Sequence, residues 1–279
     1  MNDPGALRLR LRFWGVRGSI PVPGHSACGF GGNTACLEVS SPGQRETVIV
    51  DAGSGIRALG VDLAGRKPAS HDVHVLFTHF HWDHVQGLPF FRPLFLPDWD
   101  LHFHAVGDPR RLARTLSAVM RPPYFPMRLE DAPARRSFSA IRAAGLSIGA
   151  LDIQPFPLRH PQPCSGFRIT SGGAVIVFAT DFEWGDPEHD RILIEHCAGA
   201  DVLIADAQNT PDEQPLRQGW GHSTWTQAVA LAERAGVREL VLFHHDPERS
   251  DEALDEIVEQ ARRRFPATRA AREGELIDV

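Results

Sequence analysis

The run of residues 78–84, Thr-His-Phe-His-Trp-Asp-His, restricts the folds open to this chain. It follows an apolar β-type run, Val73 to Phe77, so a buried strand must deliver these side chains to the edge of a sheet. On extended chain, side chains two residues apart point to the same side, so His79 and His81 can reach one metal ion. The aspartate and the histidine that end the run come as the chain turns, and they can reach a second. Two metal ions roughly 3.5–4 Å apart are a common device for hydrolysing phosphoesters.

Three further candidate ligands lie downstream, each at the C-terminal end of a predicted strand. Such strand ends converge on one edge of a sheet, where α/β proteins usually bind their ligands. We therefore expect these residues to meet the run 78–84. They are His160 after the segment 153–158, Asp181 after 174–180 and His244 after 240–243.

Length and charge exclude several classes of protein. The chain has 279 residues, enough for one large domain or two small ones, and its net charge of −6 gives no basic field to attract nucleic acid or an anionic membrane. It has no stretch of about 18 apolar residues that would span a bilayer. The alternation of leucine and arginine near the start predicts a strand, Leu7 to Gly15, rather than a signal peptide. We therefore expect a cytoplasmic protein that does not engage a membrane.

The four cysteines show no paired spacing. Cys28, Cys36, Cys164 and Cys197 form no CxxC motif, so neither a disulfide scaffold nor a structural zinc site is expected. We expect them to be buried as small apolar residues.

The order of the predicted elements favours two sheets sandwiched between helices. Strands and glycine-rich turns come first, and the last third alternates strand with helix. In that last third, Thr224 with Gln227 fits a capping box, and Gly236 is the expected end of the helix. The predicted strands are 7–15, 34–40 and 46–51 as a hairpin, 73–77, 201–205 and 239–243, and the predicted helices are 192–198, 224–235 and one that begins after Ser250.

The middle of the chain, about 108–150, differs in composition from the rest. Residues 108–142 contain eight arginines and three acidic residues, a local charge of +5, and 120–126 is rich in proline. We interpret this Arg/Pro-rich segment as a helix followed by a proline-rich loop. The loop either overhangs the site or forms a solvated surface excursion, and the sequence leaves both alternatives open.

The histidine-rich run resembles the HxHxDH signature of the metallo-β-lactamase-fold hydrolases. Two further stretches, 13–19 (Phe-Trp-Gly-Val-Arg-Gly-Ser) and 83–89 (Asp-His-Val-Gln-Gly-Leu-Pro), and His222 before a predicted helix, resemble the ribonuclease Z-like and small-phosphodiesterase branch of that superfamily. The resemblance extends from position 13 to about 247. It implies a single α/β domain over 1–279, built as a four-layer αββα sandwich with metal ions at one rim between the two sheets.

The same resemblance implies a set of metal ligands and a nucleophile. Two divalent cations are implied, and the nitrogen and oxygen ligands suit zinc, with manganese, iron and cobalt also admissible. A water that bridges both ions would be hydroxide near neutral pH and would attack the substrate, and Asp83 would orient it as well as bind metal. One ion would be held by His79, His81 and His160, the other by Asp83, His84 and His244, with Asp181 bridging them.

Three assignments near these ligands each have two alternatives. His244 and His245 are adjacent and face opposite sides on a strand. The superfamily's last ligand directly follows an apolar strand, as His244 does, so we choose His244 and assign His245 to a supporting or surface role. Asp51 either forms a turn or, as the resemblance implies, orients a ligand histidine and the metal run. Asn33 either touches the site or only forms a turn.

His222 distinguishes among the activities of the superfamily. The resemblance implies that this histidine assists at the phosphate and protonates the leaving oxygen. An imidazole beside a helix N-terminus and two cations is a good contact for an anion and a plausible general acid. The alternative is a histidine that only helps to cap the helix. Arg17 and the middle arginines are secondary candidates for phosphate contacts.

We therefore predict a dinuclear metal-dependent phosphodiesterase that acts on cyclic nucleotides or other small phosphodiesters, with Asp83 and His222 as catalytic residues. Three alternatives remain: an RNA-processing nuclease of the ribonuclease Z type, an acyl-ester or lactone hydrolase on the same site, and a metal-binding sensor without turnover. Ribonuclease Z carries a His-Glu-Ala-Thr-type run where this chain has Asp-Ala-Gln-Asn at 206–209, and no long glycine-rich arm is evident. The expected partner is a small phosphodiester, while nucleic acid and a homodimer stay open.

Overall fold

The computed structural model describes residues 8–66 and 69–279, and within them the chain forms two seven-stranded sheets. The strands are β1 (Arg10–Gly15), β2 (Cys36–Ser40), β3 (Thr47–Val50), β4 (Asp72–Phe77), β5 (Asp100–Val106), β6 (Arg135–Ile141), β7 (Leu146–Ile148), β8 (Leu151–Leu158), β9 (Cys164–Ser171), β10 (Ala174–Ala179), β11 (Val202–Asp206), β12 (Glu239–Phe243), β13 (Thr268–Ala270) and β14 (Leu276–Asp278). The first sheet has the order β14-β1-β2-β3-β4-β5-β6 and the second the order β13-β12-β11-β10-β9-β8-β7.

Helices cover the outer face of each sheet. An apolar core lies between the two sheets, and two more lie between each sheet and its own helices. The predicted αββα sandwich is therefore confirmed. The helices are α1 (Ile56–Gly65), α2 (Trp82–Val85), α3 (Pro109–Val119), α4 (Pro187–Cys197), α5 (Trp225–Ala235) and α6 (Asp251–Arg264).

The alternating N-terminal sequence forms the predicted strand. Leu9, Leu11 and Phe13 enter the core between the sheets, while the arginines between them face outward. Arg10 on that outer face forms an ion pair with Asp278 of β14. Leu7, with which the prediction began, lies outside the described residues.

Parallel strands bring the polar strand ends to one rim. In the first sheet, β3, β4, β5 and β6 run parallel, and in the second sheet β10, β11, β12 and β13 do so. Parallel neighbours place all their carboxyl ends on the same edge of a sheet, which is where polar residues and ligands collect. The run 78–84 follows β4 directly, so the fold delivers it to this rim.

The local signals in the last third are confirmed in detail. Helix α5 begins with the reciprocal capping box of Thr224 and Gln227, and it ends at Gly236, which has a left-handed φ of 62°. Ser250 caps α6 by accepting the N–H of Ala253. The predicted hairpin also forms, as β2 and β3 pair antiparallel.

The prediction for the Arg/Pro-rich segment is partly wrong. Its helix exists as α3, with Asp108 at the N-cap, but the interpretation of the remainder as a loop overlooks β6, which adds to the edge of the first sheet. Strand β6 is half-buried, with serine at 137 and 139 on one face and Phe138 stacked on Phe103 on the other. An edge strand of this kind has a weak apolar pattern. The arginine and proline content of the segment therefore favoured a loop over a strand in the sequence analysis.

Two further expectations concern the state of the cysteines and the presence of membrane-spanning helices. All four cysteines are free thiols, and three are buried as expected, but Cys28 is exposed, which corrects the prediction for that residue. None of the helices in the described residues is long and apolar enough to cross a membrane.

Candidate metal centre

Backbone strain is concentrated at the rim where the strands end. In the part of the chain that the structure describes, only four residues other than glycine have a positive φ. A left-handed conformation costs roughly 1 kcal/mol or more for a residue with a Cβ, so it persists only where the surroundings impose it. Three of the four directly or nearly follow β3, β10 and β12, and the fourth contacts the run 78–84 through its backbone. They are Ser19 (63°), Asp51 (62°), Asp181 (59°) and His244 (62°).

The first cluster of possible metal ligands consists of His79, His81 and His160. One ring nitrogen from each lies within 4.8 Å of the others. Nε2 of His160 is 3.0 Å from Nδ1 of His81, although the two residues are 79 positions apart in the chain. His160 follows β8, so the second sheet completes a cluster that the first sheet begins.

The second cluster consists of Asp83, His84 and His244. Nε2 of His244 lies 3.1 Å from Oδ2 of Asp83 and 3.3 Å from Nε2 of His84. The backbone N–H of Ser19 donates to the same Asp83 oxygen at 2.7 Å. Burial opposes ionisation of Asp83, but the neighbouring His84 and His244 hold its pKa well below its usual range.

Asp181 lies between the two clusters. Its Oδ1 is 3.7 Å from Nε2 of His79 in the first cluster and 3.4 Å from Nε2 of His244 in the second, and its Oδ2 is 3.3 Å from Nε2 of His84. The side chain is almost fully buried, and the pKa of its carboxyl lies well below the ordinary value, because nearby histidines outweigh the cost of burial. The carboxylate is therefore placed to contact ions in both clusters.

The donor set fits two divalent cations. Five imidazoles and two carboxylates converge at the rim, which is the ligation that zinc and related metals prefer. Nε2 of His79 is buried, and no described group hydrogen-bonds it. Burial and the neighbouring His84 lower the pKa of His79 well below its ordinary value, so the ring is neutral, which is the form that binds metal. A buried neutral imidazole without a partner is costly unless a cation occupies the position.

Asp51 holds the first-sheet part of this arrangement in place. Its Oδ2 lies 2.8 Å from Nδ1 of His84, and the two carboxylate oxygens accept the N–H and the hydroxyl of Thr78 at 2.9 and 2.8 Å. Nδ1 of His84 therefore faces Asp51 while Nε2 faces the second cluster. Partners of this kind set the tautomer and orientation of a metal-binding histidine.

His222 lies beside the clusters, in the loop that leads into α5. It is two residues before Thr224, the N-cap residue of that helix. Its ring stacks on His244 with centroids 5.0 Å apart, and its Nδ1 is 2.9 Å from Oδ2 of Asp206. Burial disfavours the charged ring, but attraction to Asp206 outweighs it and raises the pKa of His222 to about 9. The structure therefore pairs His222 with a carboxylate that the sequence interpretation had not assigned to the site.

Sequence reasoning missed three further residues that position the site. Asp206 ends β11, and the rule that selected Asp181 and His244 at strand ends would have found it. Oε1 of Gln208 lies 2.9 Å from Nδ1 of His244 and so orients that ring. The third residue, Glu183, gave no local signal in the sequence.

Glu183 anchors the loop that carries His222. Its buried carboxylate accepts the backbone N–H groups of Gly219 and Gly221 at 2.8 and 3.0 Å. The carbonyl of Gly221 in turn lies 2.9 Å from Nδ1 of His160. One carboxylate thus fixes a loop that contacts both a candidate metal ligand and the candidate acid.

Other candidates from the sequence lie away from the clusters. His245 is buried, with Nε2 3.0 Å from the carbonyl of Ala271, so the surface alternative for it is wrong. Arg17 is fully buried and donates to the carbonyls of Gly31 and Arg249, which leaves it unable to reach a substrate. Asn33 hydrogen-bonds Glu273 and Ser54 rather than a residue of either cluster.

The chain is similar in sequence and in fold to several other proteins. Residues 46–245 match the family described as "Beta-lactamase superfamily domain". The chain is 30% identical to a ribonuclease Z of Bradyrhizobium sp. (strain ORS 278), over 94% of this chain and 97% of the relative. Its fold is similar to that of the metallo-beta-lactamase fold protein YhfI from Bacillus subtilis, with a TM-score of 0.74 and 20% identity over 98% of this chain and 100% of that one. It is also similar to a diphosphatase from the PhnP family, with a TM-score of 0.71 and 19% identity over 98% of each chain.

Proposed function

The chain belongs to the metallo-β-lactamase-fold hydrolases, in their ribonuclease Z-like branch, and from this membership we propose that it is a dinuclear metal-dependent phosphodiesterase acting on cyclic nucleotides or other small phosphodiesters. The observation that carries the proposal is the pairing of His222 with Asp206 directly beside two clusters of metal-binding side chains. A proton donor next to paired cations suits the departure of an alkoxide from phosphorus. The names of two relatives, a ribonuclease and a diphosphatase, add support because both kinds of enzyme hydrolyse bonds to phosphorus.

The metal-binding part of the proposal uses both clusters. When bound, two divalent cations, zinc in the first instance, would supply Lewis acidity that offsets the charge of the phosphate and makes the attacking water more acidic. Asp51 orients one proposed ligand, His84, through a hydrogen bond with its Nδ1. The proposed ligands are His79, His81 and His160 for one ion, Asp83, His84 and His244 for the other, and Asp181 for both.

Asp83 has a second task in this proposal. The Ser19 N–H and His244 hold its carboxylate in one orientation at the rim. A fixed, ionised carboxylate accepts a hydrogen bond from the attacking water and so aims its lone pair at the phosphorus. Because Asp83 also belongs to the second cluster, its loss removes a ligand and this orientation together.

His222 is the proposed proton donor to the leaving oxygen. Its Nδ1 faces Asp206, so Nε2 is the ring atom that remains to donate a proton. The negative carboxylate stabilises the protonated ring, and the side chain keeps a small exposed fraction of 12%, which gives a substrate access to it. General acid catalysis of this kind contributes about 10²–10⁴-fold to rate, most for a poor leaving group.

An RNA-processing nuclease is the second candidate function. The 30% identity to a ribonuclease Z over nearly the whole chain favours it, as does the local charge of +5 over 108–142. The run Asp-Ala-Gln-Asn at 206–209 and the overall charge of −6 favour a small substrate instead. Cleavage of a tRNA precursor, compared with cleavage of cyclic AMP at equal enzyme concentration, separates the two functions.

The test of the main proposal is hydrolysis of bis(p-nitrophenyl) phosphate and of cyclic AMP by protein of known metal content. We expect turnover that a chelator abolishes, and a loss of about 100-fold or more on both substrates in Asp83→Asn. In His222→Ala we expect about 100-fold loss on cyclic AMP, whose alkoxide needs a proton, and a smaller loss on the p-nitrophenyl ester. The exposed His25 provides the matched control, His25→Ala, which is expected to behave as the wild type. Protein with two bound ions and no turnover of either substrate contradicts the proposal.

A further inference from the structure

A cavity of about 580 Å³ opens beside the proposed metal centre. Its wall includes His160, a proposed ligand, so a substrate phosphate at the metal centre would lie next to the cavity. The volume falls within the range of roughly 300–1,000 Å³ that is typical of small-molecule sites. The cavity is therefore large enough for the organic part of a small phosphodiester.

The walls of this cavity are mainly apolar and stiff. Four prolines line it, together with Val106 at the end of β5, and proline rings hold their backbone in one conformation. Among the described residues that line the cavity, none is acidic, and Gln162 and Arg159 offer polar groups. The four prolines are Pro155, Pro157, Pro161 and Pro163.

A second cavity continues the first along the histidine-rich run. It measures about 190 Å³ and shares Val106, Gln162 and Pro163 with the larger one. It reaches Thr78 and Phe80, so it borders the run 78–84 itself. The Arg/Pro-rich segment contributes Asp108 and Arg111, which have opposite charges, to this cavity and Ala143 to the larger one, which places parts of the segment beside the site.

We propose that these two cavities form one cleft that binds the aromatic part of a substrate's ester group, either a nucleobase or a simple aryl ring. The inference rests on the proposed function, in which the metal centre receives the phosphate. Apolar proline and valine walls cannot replace the hydration of a phosphate or of a sugar hydroxyl. Packing of a flat aromatic ring against the same walls is favourable, because apolar surface on both sides leaves water. Gln162 supplies a donor and an acceptor for the polar edge of such a ring.

The experiment measures binding without turnover. Isothermal titration calorimetry of the metal-loaded protein compares phenylphosphonate with methylphosphonate, which carry the same charged group and a stable carbon–phosphorus bond. We expect phenylphosphonate to bind about tenfold more tightly, because the ring leaves water for the apolar cleft. Adenosine 5′-monophosphate is the third ligand, and tighter binding of it than of phenylphosphonate identifies a nucleobase as the natural occupant, while the reverse identifies an aryl ring.

Two variants fill the cleft at residues that line both cavities. Val106→Trp and Gln162→Phe are each expected to reduce the preference for phenylphosphonate to threefold or less while methylphosphonate binds as before. Val61→Trp is the matched control, because Val61 is 53% exposed, much as Val106 is 50% exposed, but lies on α1 away from the cleft. The control should keep the full preference, and thermal melts of all three variants verify that they fold.

The inference and the proposed function fail in different ways. A wild-type preference below twofold, no binding of either phosphonate, or an unchanged preference in both folded cleft variants overturns the aromatic subsite, even if the protein hydrolyses phosphodiesters. A clear preference that the variants abolish supports the subsite. If such protein does not turn over bis(p-nitrophenyl) phosphate or cyclic AMP, the proposed phosphodiesterase activity fails while the ring-binding cleft stands.

Discussion

Nδ1 of His222 lies 2.9 Å from Oδ2 of Asp206. The other oxygen of this carboxylate accepts the N–H of Ser223, and Oδ2 also accepts the N–H of Asp181. One buried carboxylate therefore connects the proposed acid, the end of the loop that leads into α5 and the strand end that carries the proposed bridging ligand. The charge that stabilises a protonated His222 is thus built into the packing of the second sheet.

Replacing Asp206 should weaken the acid without removing it. In Asp206→Asn the ring of His222 keeps a neighbour of the same shape but loses its negative charge, so its pKa falls. We expect kcat for cyclic AMP to drop by about 10–100-fold, and the alkaline limb of the kcat–pH profile to move to lower pH. Steady-state kinetics from pH 6 to 10 measures both effects. The exposed Asp212 gives the control Asp212→Asn, and an unmoved alkaline limb in Asp206→Asn contradicts the assigned role.

Glu183→Gln should loosen the loop that carries His222. The amide keeps one acceptor oxygen for the N–H groups of Gly219 and Gly221 but loses the charge that strengthens both bonds. Since Gly221 also contacts His160, we expect metal affinity to fall about tenfold along with kcat. Competition with a chelator measures the affinity, and Glu188→Gln on the exposed start of α4 is the control. Full affinity and full kcat in Glu183→Gln count against a positioning role.

Gly18→Ala should damage the second cluster selectively. A Cβ at Gly18 would lie 2.4 Å from Nδ1 of His244, a distance that forces the ring to move. We expect the variant to retain one equivalent of metal instead of two and to lose at least 100-fold in kcat. Elemental analysis after dialysis gives the metal content. Gly65→Ala is the matched control, because a Cβ there meets nothing within 4 Å and its φ is not in the left-handed region.

A pair of histidines away from the rim should make stability depend on pH. Nδ1 of His74 lies 3.0 Å from Nε2 of His104, on neighbouring strands of the first sheet. Burial first, and then charge on nearby histidines, lowers the pKa of His74 to about 4 and that of His104 to about 3. The folded state therefore binds fewer protons than the unfolded state between these values and the ordinary pKa of about 6.5.

The sign of this effect follows from proton linkage. The contribution of this pair to the free energy of unfolding is complete above about pH 6.5 and decreases as the pH falls. The reason is that the unfolded chain binds protons in this range and the folded chain does not. At pH 5 these pKa values correspond to about 2 kcal/mol for each histidine, and because His74 is only half-buried, solvent screening reduces the expected decrease in the free energy of unfolding to about 2–3 kcal/mol for the pair. Urea unfolding of metal-free protein at pH 7 and pH 5 measures it. The double variant His74→Gln, His104→Gln should lose that part of the difference, and an equal difference in both proteins contradicts the assignment.

Most of the proposed ligands were predictable because a local pattern encodes them. An apolar run followed by a polar residue ends a strand, and parallel strands end on one edge, so the sequence alone groups His79, His160, Asp181 and His244. The capping box of α5 was equally local. In contrast, β6 was missed, because a half-buried edge strand lacks a strong apolar alternation.

The amino-acid sequence alone determined the strand ends and the residue types that reach the rim, since both follow from periodicity along a few neighbouring positions. Only the tertiary structure decided the partners: Asp206 against His222, Glu183 under the loop at 219–221, and the burial of Arg17 away from the site. These contacts join residues from 14 to more than 200 positions apart. Separations of that size are set by how strands, loops and helices assemble in the tertiary fold, and no local pattern in the chain records them.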